Sequence, residues 1–223
     1  MTRVAIVGAG VIGASCAFHM AKAGLRVTVL DRAPAAGAGS TARATGGFRA
    51  QYATAINIRL SLLARERLRA FRDDTGVDPD FAPVGYLWLA TSESSLGELV
   101  AANELQRHEG LDARIVGVDE IRAINPHVEL AGVCGGAFCS SDGTLRPMEI
   151  LRGYLDAAVR CGADVRWGED IVALERTGDR ISAVVTTRGS YPADVVVNAA
   201  GAWAASLAQI GRASCRERVL WYV

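Results

Sequence analysis

The sequence has no surplus of charge of either sign: 24 lysine and arginine side chains stand against 24 aspartates and glutamates. Nucleic acid and anionic membrane surfaces are bound through clustered positive charge, so neither is an expected partner. Lysine is almost absent, Lys22 being the only one, which reflects GC-rich coding more than function. No stretch approaches the roughly 20 apolar residues that a membrane-spanning helix needs. The apolar run from Val4 to Ala17 imitates a signal peptide, but glycines interrupt it and His19 and Lys22 follow without a turn. Internal repeats and low-complexity tracts are absent too.

Histidine is scarce, and His19, His108 and His127 share no spacing that suggests a triad or a metal site. Each reads as a surface or helix residue. Cys16, Cys134, Cys139, Cys161 and Cys215 are scattered and odd in number, which argues against a secreted disulfide framework and for reduced thiols in the cytoplasm. Cys134 and Cys139 have no second pair and read as buried thiols rather than zinc ligands. Asp73-Asp74 and Glu169-Asp170 read as turn residues rather than catalytic pairs. What is present is 50% apolar content and 24 glycines in 223 residues, a soluble globular composition of one large or two small domains.

Val4-Ala5-Ile6-Val7 is an apolar run without polar alternation, the pattern of a strand buried on both faces of a parallel sheet. A helix from Val11 to Ala23, stopped by Gly24, and a strand from Arg26 to Leu30 complete a βαβ unit. Residues 34–47 are too small and polar for a core element and form a loop. Ile56 to Arg72 predicts a helix with Ile56, Leu60, Leu63 and Phe71 on one face and Arg65, Arg67, Arg69 and Arg72 on a solvated one. Beyond Asp78-Pro79 and Pro83 the rhythm changes, with strands at 85–90, 114–116 and 132–139 and helices at 95–108 and 119–124. This stretch is a second domain or an insertion. A helix from Pro147 to Cys161 follows, then strands at 163–167, 171–176 and 181–187, the last two joined through Gly178-Asp179, and a buried strand at 194–198.

Gly8-Ala9-Gly10-Val11-Ile12-Gly13 is a G-x-G-x-x-G that follows a strand, opens a helix and lies inside a βαβ unit. Gly8 permits the tight turn, Gly10 lets backbone approach a pyrophosphate, and Gly13 lets helix and strand pack closely. Val11 and Ile12 open the helix whose N-terminus faces the phosphates. Asp31, at the end of the second strand with Arg32 beside it, is placed to accept hydrogen bonds from an adenosine ribose. The fingerprint does not choose between NAD and FAD, because both present the same ADP half to this turn.

Two further segments bear on that choice: residues 37–49, with Ser40, Thr41, Arg43, Thr45, Gly46, Gly47 and Arg49, and residues 194–203, ending Ala199-Ala200-Gly201-Ala202-Trp203. Here the chain resembles the FAD-dependent D-amino-acid oxidase family, in particular its glycine oxidase, sarcosine oxidase β-subunit and D-proline dehydrogenase branch, from Arg3 to about Gln209. The resemblance implies that the first segment contacts the pyrophosphate and ribityl chain, with Thr45, Gly46 and Gly47 beside the flavin ring. It also implies that Ile171 meets the adenine through its backbone and that Ala200, Gly201 and Trp203 approach the cofactor. Asp142-Gly143-Thr144-Leu145-Arg146-Pro147 resembles the family's link from substrate domain back to FAD domain. Ser141 stands where a histidine precedes that link in sarcosine oxidase β-subunits carrying a covalent flavin, so non-covalent FAD is implied. Arg49 is the one candidate for a catalytic charge, a role in bracing its loop being the alternative.

The implied fold is α/β: a Rossmann-like, glutathione-reductase-like FAD-binding domain with an interleaved, incomplete α+β substrate domain. Residues 1–80 and 141–209 would form the former and 81–140 the first part of the latter. The implied activity is oxidation of the C–N bond of a small amino acid or secondary amine, such as glycine, sarcosine, proline or a D-amino acid, by hydride transfer to flavin N5. The electron acceptor and any partner subunits stay open. Ile210 to Val219 fits no element of the family pattern and reads as a translated sequencing adapter, so 210–223 is expected to be a non-native tail. On that reading the chain is truncated and inactive alone. Asp31, where relatives more often carry glutamate, keeps an NAD-dependent dehydrogenase as one alternative; a non-catalytic nucleotide-binding fragment is another.

Overall fold

A computed structural model describes residues 1–210. In chain order the elements are β1 (Arg3–Val7), α1 (Val11–Lys22), β2 (Arg26–Asp31), β3 (Gly47–Phe48), α2 (Ala55–Arg69), α3 (Phe71–Thr75), β4 (Tyr86–Ala90), α4 (Glu93–His108), β5 (Ala113–Val116) and α5 (Val118–Ile124). There follow β6 (Gly135–Cys139), β7 (Gly143–Thr144), α6 (Pro147–Arg160), β8 (Asp164–Trp167), β9 (Ile171–Thr177), β10 (Arg180–Thr186), β11 (Ser190–Pro192), β12 (Val195–Asn198) and α7 (Ala204–Ile210). They group into two units, residues 1–45, 72–78 and 147–210 on one side and 46–71 and 79–146 on the other. Residues 46–71, 79–80 and 141–146, which the sequence reading counts with the nucleotide-binding domain, group with the second unit, where β3 pairs with β7. The expected tail lies outside the described residues from 211 onward.

The first unit is an α/β fold on a parallel sheet in the order β12-β1-β2-β8. Central β1 is buried on both faces, Ile6 completely, which is why its sequence shows no polar alternation. One face packs against α1 and α6 through Ala14, Ala17 and Phe18 on the former and Leu151, Leu155 and Ala158 on the latter. On the other face Ala5 and Leu30 meet Val184 of the antiparallel sheet β11-β10-β9 and Ala193, which directly follows β11. Strand β11 carries no sequence signal, being three residues that end in proline.

The register of β1 against β12 is pinned at its edge by Arg3 and Asp194. The Arg3 N–H and Nε donate to Asp194 Oδ2 at 2.8 and 3.2 Å, Nη2 donates to Oδ1 at 2.6 Å, and the Asp194 N–H returns to the Arg3 carbonyl at 2.9 Å. Val4 then lies beside Val195 and Val7 beside Asn198. These two pairings carry β12 alongside β1 to the point where both strands end.

The second unit is built on an antiparallel sheet in the order β4-β6-β5. Ser92 caps α4, its hydroxyl accepting the Ser95 N–H at 3.1 Å while Ser95 Oγ accepts the Ser92 N–H at 3.2 Å. Two expectations for the helix after the glycine-rich loop are corrected. Ile56, Leu60 and Leu63 are exposed, and the buried residue of α2 is Ile58, on the opposite face; Phe71 belongs to the separate α3. Arg65 is half-buried rather than solvated and donates to Ser141 Oγ. Cys139 is fully buried and burial pushes its thiol up to about 11, whereas Cys134 is half-buried and Cys161 exposed.

The Arg3–Asp194 pair makes a pH prediction. Hydrogen bonds from the Arg3 side chain and then its backbone hold the Asp194 carboxyl at about 2, below the ordinary 3.8. In that window the unfolded chain takes up a proton that the folded chain refuses, so the contribution is present above 3.8 and lost as pH falls toward about 2. Urea-denaturation midpoints of the parent and Asp194→Asn chains are expected to differ at neutral pH and to converge below that window. A difference that persists unchanged in acid would show that the pair does not act through its charge.

Candidate functional site

At the C-terminal ends of β1 and β2 the first unit opens a groove of about 370 Å³. This is the position at which open parallel sheets bind ligands. Its base is the turn after β1. Gly8 adopts φ +104°, a conformation side chains disfavour, and donates its N–H to the Leu30 carbonyl at 2.9 Å. A Cβ there would lie 2.3 Å from the Ala199 carbonyl oxygen, and one on Gly13 would lie 1.8 Å from the Gly8 carbonyl oxygen. Gly10 differs. The nearest protein atom to its virtual Cβ is Thr41 Oγ1, 3.5 Å away, so its face is left open to the groove.

Gly10 is also the N-cap of α1, with no side-chain cap and no acidic residue in the first turn. The Val11 N–H donates to Thr41 Oγ1 at 3.1 Å, which ties the loop carrying Ser40 and Thr41 to the helix start. The Asp31 carboxylate accepts the Ala9 N–H at 2.7 Å on Oδ2 and the Ala33 N–H at 2.8 Å on Oδ1. Each oxygen keeps further lone-pair capacity.

The opposite wall follows β12. The Ala199 N–H donates to the Val7 carbonyl at 2.9 Å, and Asn198 ties the next turn by accepting from the Ala200 N–H at 3.3 Å and donating to the Ala204 carbonyl at 2.8 Å. Trp203 is 47% exposed at the rim, with the Arg32 guanidinium stacked 3.9 Å from its ring centre. Ile12, 63% exposed, and Ile171 add apolar lining.

Of the residues singled out from the sequence, the groove thus gathers Gly8, Gly10, Val11, Ile12, Asp31, Arg32, Ser40, Thr41, Ile171, Ala200, Gly201 and Trp203. Gly13 stands behind it. Arg43 points back into its own loop, donating to the carbonyls of Ala38 at 3.3 Å and Gly39 at 3.2 Å. Thr45 is exposed and ends the first unit's first segment. Gly46 and Gly47 belong to the second unit, Gly46 accepting the Leu145 N–H at 2.8 Å and Gly47 pairing with Thr144. Arg49, also there, sits over the rings of Trp88 at 4.9 Å and Tyr52 at 5.3 Å. Asp142, first residue of the expected link, is wholly buried and accepts the Ala50 N–H at 3.0 Å and Gln51 Nε2 at 3.3 Å.

Sequence reasoning passed over Glu169, taken as a turn residue, although it lines the groove and is 5% exposed. Its one signal is the unusual placement of a carboxylate two residues before Ile171. Hydroxyl donation from Thr186 and Tyr191 holds that carboxylate below the usual range. Among the described residues no group of three or more potential ligands could hold a metal ion, and no helix is long and apolar enough to cross a membrane.

A family model described as FAD dependent oxidoreductase (DAO) matches residues 3–219. The chain belongs to this family. It is 26% identical over 206 residues to 4-methylaminobutanoate oxidase (formaldehyde-forming) of Paenarthrobacter nicotinovorans, covering 92% of this chain and 25% of that protein. Against glycine oxidase of Geobacillus kaustophilus it is 29% identical over 215 residues, covering 93% of this chain and 57% of the relative. In fold it resembles L-proline dehydrogenase from P. horikoshii, with a TM-score of 0.89 and 24% identity over 98% of this chain and 57% of that one. The chain therefore spans between a quarter and somewhat over half of these relatives' lengths. The family is FAD-dependent, and the NAD-dependent alternative is not favoured.

The glycines separate fold from ligand in a way that can be measured. Gly13→Ala is expected to cost about 3 kcal/mol, because its Cβ meets backbone that cannot yield. Gly10→Ala is expected to cost less than about 1 kcal/mol, the ordinary penalty at an N-cap, while weakening ADP binding. Thermal denaturation with and without ADP reads both; equal destabilisation by the two substitutions would contradict the distinction.

Proposed function

We propose that this chain supplies the FAD-binding part of an oxidoreductase that oxidises the C–N bond of a small amino acid or secondary amine. The observation that carries the proposal is the open face of Gly10, flanked by a helix N-terminus that has no acidic residue in its first turn and by the Asp31 carboxylate. In this reading backbone at Gly10, Val11 and Ile12 meets the pyrophosphate, where the helix dipole favours negative charge. Asp31 accepts from ribose hydroxyls with the lone pairs that Ala9 and Ala33 leave free, and Ile171 and Trp203 supply apolar surface. The first unit is then a Rossmann-like, glutathione-reductase-like domain, and the second part of an interleaved α+β substrate domain.

The substrate class follows from the relatives, whose names include 4-methylaminobutanoate oxidase, dimethylglycine dehydrogenase and glycine oxidase. All act on compounds with nitrogen on a saturated carbon. A bound flavin supplies an acceptor, at N5, for the hydride leaving that carbon. The chain's own work is to hold the nucleotide end and exclude water from the groove's apolar floor. Arg49 is the charge we assign to the chemistry from this part of the protein. With only part of the relatives' length present, the 223-residue chain alone is expected to bind the nucleotide and not to turn over an amine.

Fluorescence titration of the chain with FAD is expected to show saturable binding, weakened about tenfold or more in Asp31→Ala, since hydrogen bonds to a charged acceptor are lost. Saturable binding of NAD with no binding of FAD would overturn the proposal. Turnover of glycine or sarcosine by the chain alone would overturn its assignment as an incomplete catalyst.

A further inference from the structure

Glu169 makes more connections than a turn residue needs. Its Oε1 accepts the Tyr191 hydroxyl at 2.7 Å and its Oε2 accepts the Thr186 hydroxyl at 2.5 Å. Thr186 Oγ1 in turn accepts the N–H groups of Arg188 and Gly189, both at 3.1 Å. Its single proton is then directed to the carboxylate in preference to the Gly189 carbonyl, 3.1 Å away. The main chain is gripped as well. The Glu169 N–H donates to the Asp31 carbonyl and the Gly168 N–H to the Ala33 carbonyl, each at 2.9 Å, and the Thr187 N–H donates to the Asp170 carbonyl at 2.9 Å.

These bonds join three segments that the sequence keeps far apart: the end of β2, the turn before β9, and the β10–β11 hairpin. The groove needs all three in register, because Asp31 stands at the end of the first and Ile171 begins β9 directly after the second. We propose that Glu169 is a positioning residue that fixes Asp31 against Ile171, and through Asp31 sets the recognition of a ribose. The inference rests on the nucleotide reading of the groove. A carboxylate suits the task because both its oxygens accept. A glutamine offers one accepting oxygen and one NH2: with the oxygen on Thr186, whose lone pairs the Arg188 and Gly189 N–H groups occupy, the NH2 faces Tyr191, whose hydroxyl must turn its proton away from the turn to accept. The turn would then lose a hydrogen bond made to a charged group.

The test uses the 223-residue chain and two probes, ADP and 2′,3′-dideoxy-ADP, whose binding is measured by calorimetry. The unsubstituted chain is expected to prefer ADP by several-fold, the preference arising at Asp31. Glu169→Gln is expected to weaken ADP about tenfold and to bring the ratio of the two affinities toward one. Tyr191→Phe, which keeps the charge and removes one donor, is expected to fall between. If ADP weakens in both variants while the ratio is unchanged, Glu169 serves the fold and not ribose recognition, and the inference fails. It fails equally if Glu169→Gln changes nothing. Should Glu169→Gln not fold, as judged by circular dichroism, the ratio in Tyr191→Phe decides. If the unsubstituted chain binds neither probe, the nucleotide reading itself falls and this inference with it; ADP binding with an unaltered ratio overturns this inference alone.

Discussion

The crossing of Gly8, Gly13 and Ala199 leaves no room for a side chain, and the rest of the first unit is arranged around it. A Cβ on Gly13 would collide with the Gly8 carbonyl, and one on Gly8 with the Ala199 carbonyl. Strand β12 can therefore run beside β1 to its end only because the turn after β1 is bare. The Ala199 N–H bond to the Val7 carbonyl exploits this approach, and the groove's two walls, at 8–12 and 199–203, are set by it. Gly10 belongs to the same motif yet presses on nothing closer than 3.5 Å. Two of the glycines answer to the protein's own packing, then, and the third faces the open groove.

Charge is used sparingly around this crossing. Among the described residues Asp31 caps no helix and pairs with no cation; its carboxylate accepts two backbone N–H groups, from Ala9 after β1 and Ala33 after β2. Such a carboxylate is fixed in direction without being neutralised. It can still accept from hydroxyls, which a carboxylate locked in a bidentate arginine pair does less well. Arg3 and Asp194 illustrate that other arrangement at the opposite end of the sheet, where the pair fixes the register of β1 against β12.

The parallel sheet was legible in the sequence because burial on both faces leaves an unmistakable pattern. Val4 to Val7 has no polar residues to alternate with and Gly8 stops it abruptly; Val195 to Val197 carries the same pattern and was expected to be buried, yet β12 lies at the edge of the sheet with Val195 44% exposed. The groove was legible for the related reason that backbone approach demands glycine at fixed spacing. Helix α2 was misread because periodicity identifies a stripe without saying whether anything covers it: Ile56, Leu60 and Leu63 share a face, but Ile58 opposite them is the one that is buried. Arg65 was misread for the converse reason. A long side chain on a charged face can still turn inward, here to Ser141. Glu169 was invisible because its partners, Thr186 and Tyr191, lie on a hairpin whose last strand, β11, has no propensity signal of its own.

Two nearly unexposed carboxylates show why burial alone does not decide charge. Glu169 is held below the usual carboxylate range, chiefly by the Thr186 and then the Tyr191 hydroxyl. Asp142, with no exposure at all, is displaced upward, because burial outweighs the Ala50 N–H, the Gln51 amide and the more distant Arg65 charge. The donors differ in kind as well as number: two short O–H bonds at 2.5 and 2.7 Å on Glu169, against N–H bonds at 3.0 and 3.3 Å on Asp142. Short bonds to an ionised acceptor are the stronger ones. The native state thus favours the charged form at Glu169 and resists it at Asp142. Raising the pH through the Asp142 range costs the second unit stability, whereas lowering it through the Glu169 range costs the first.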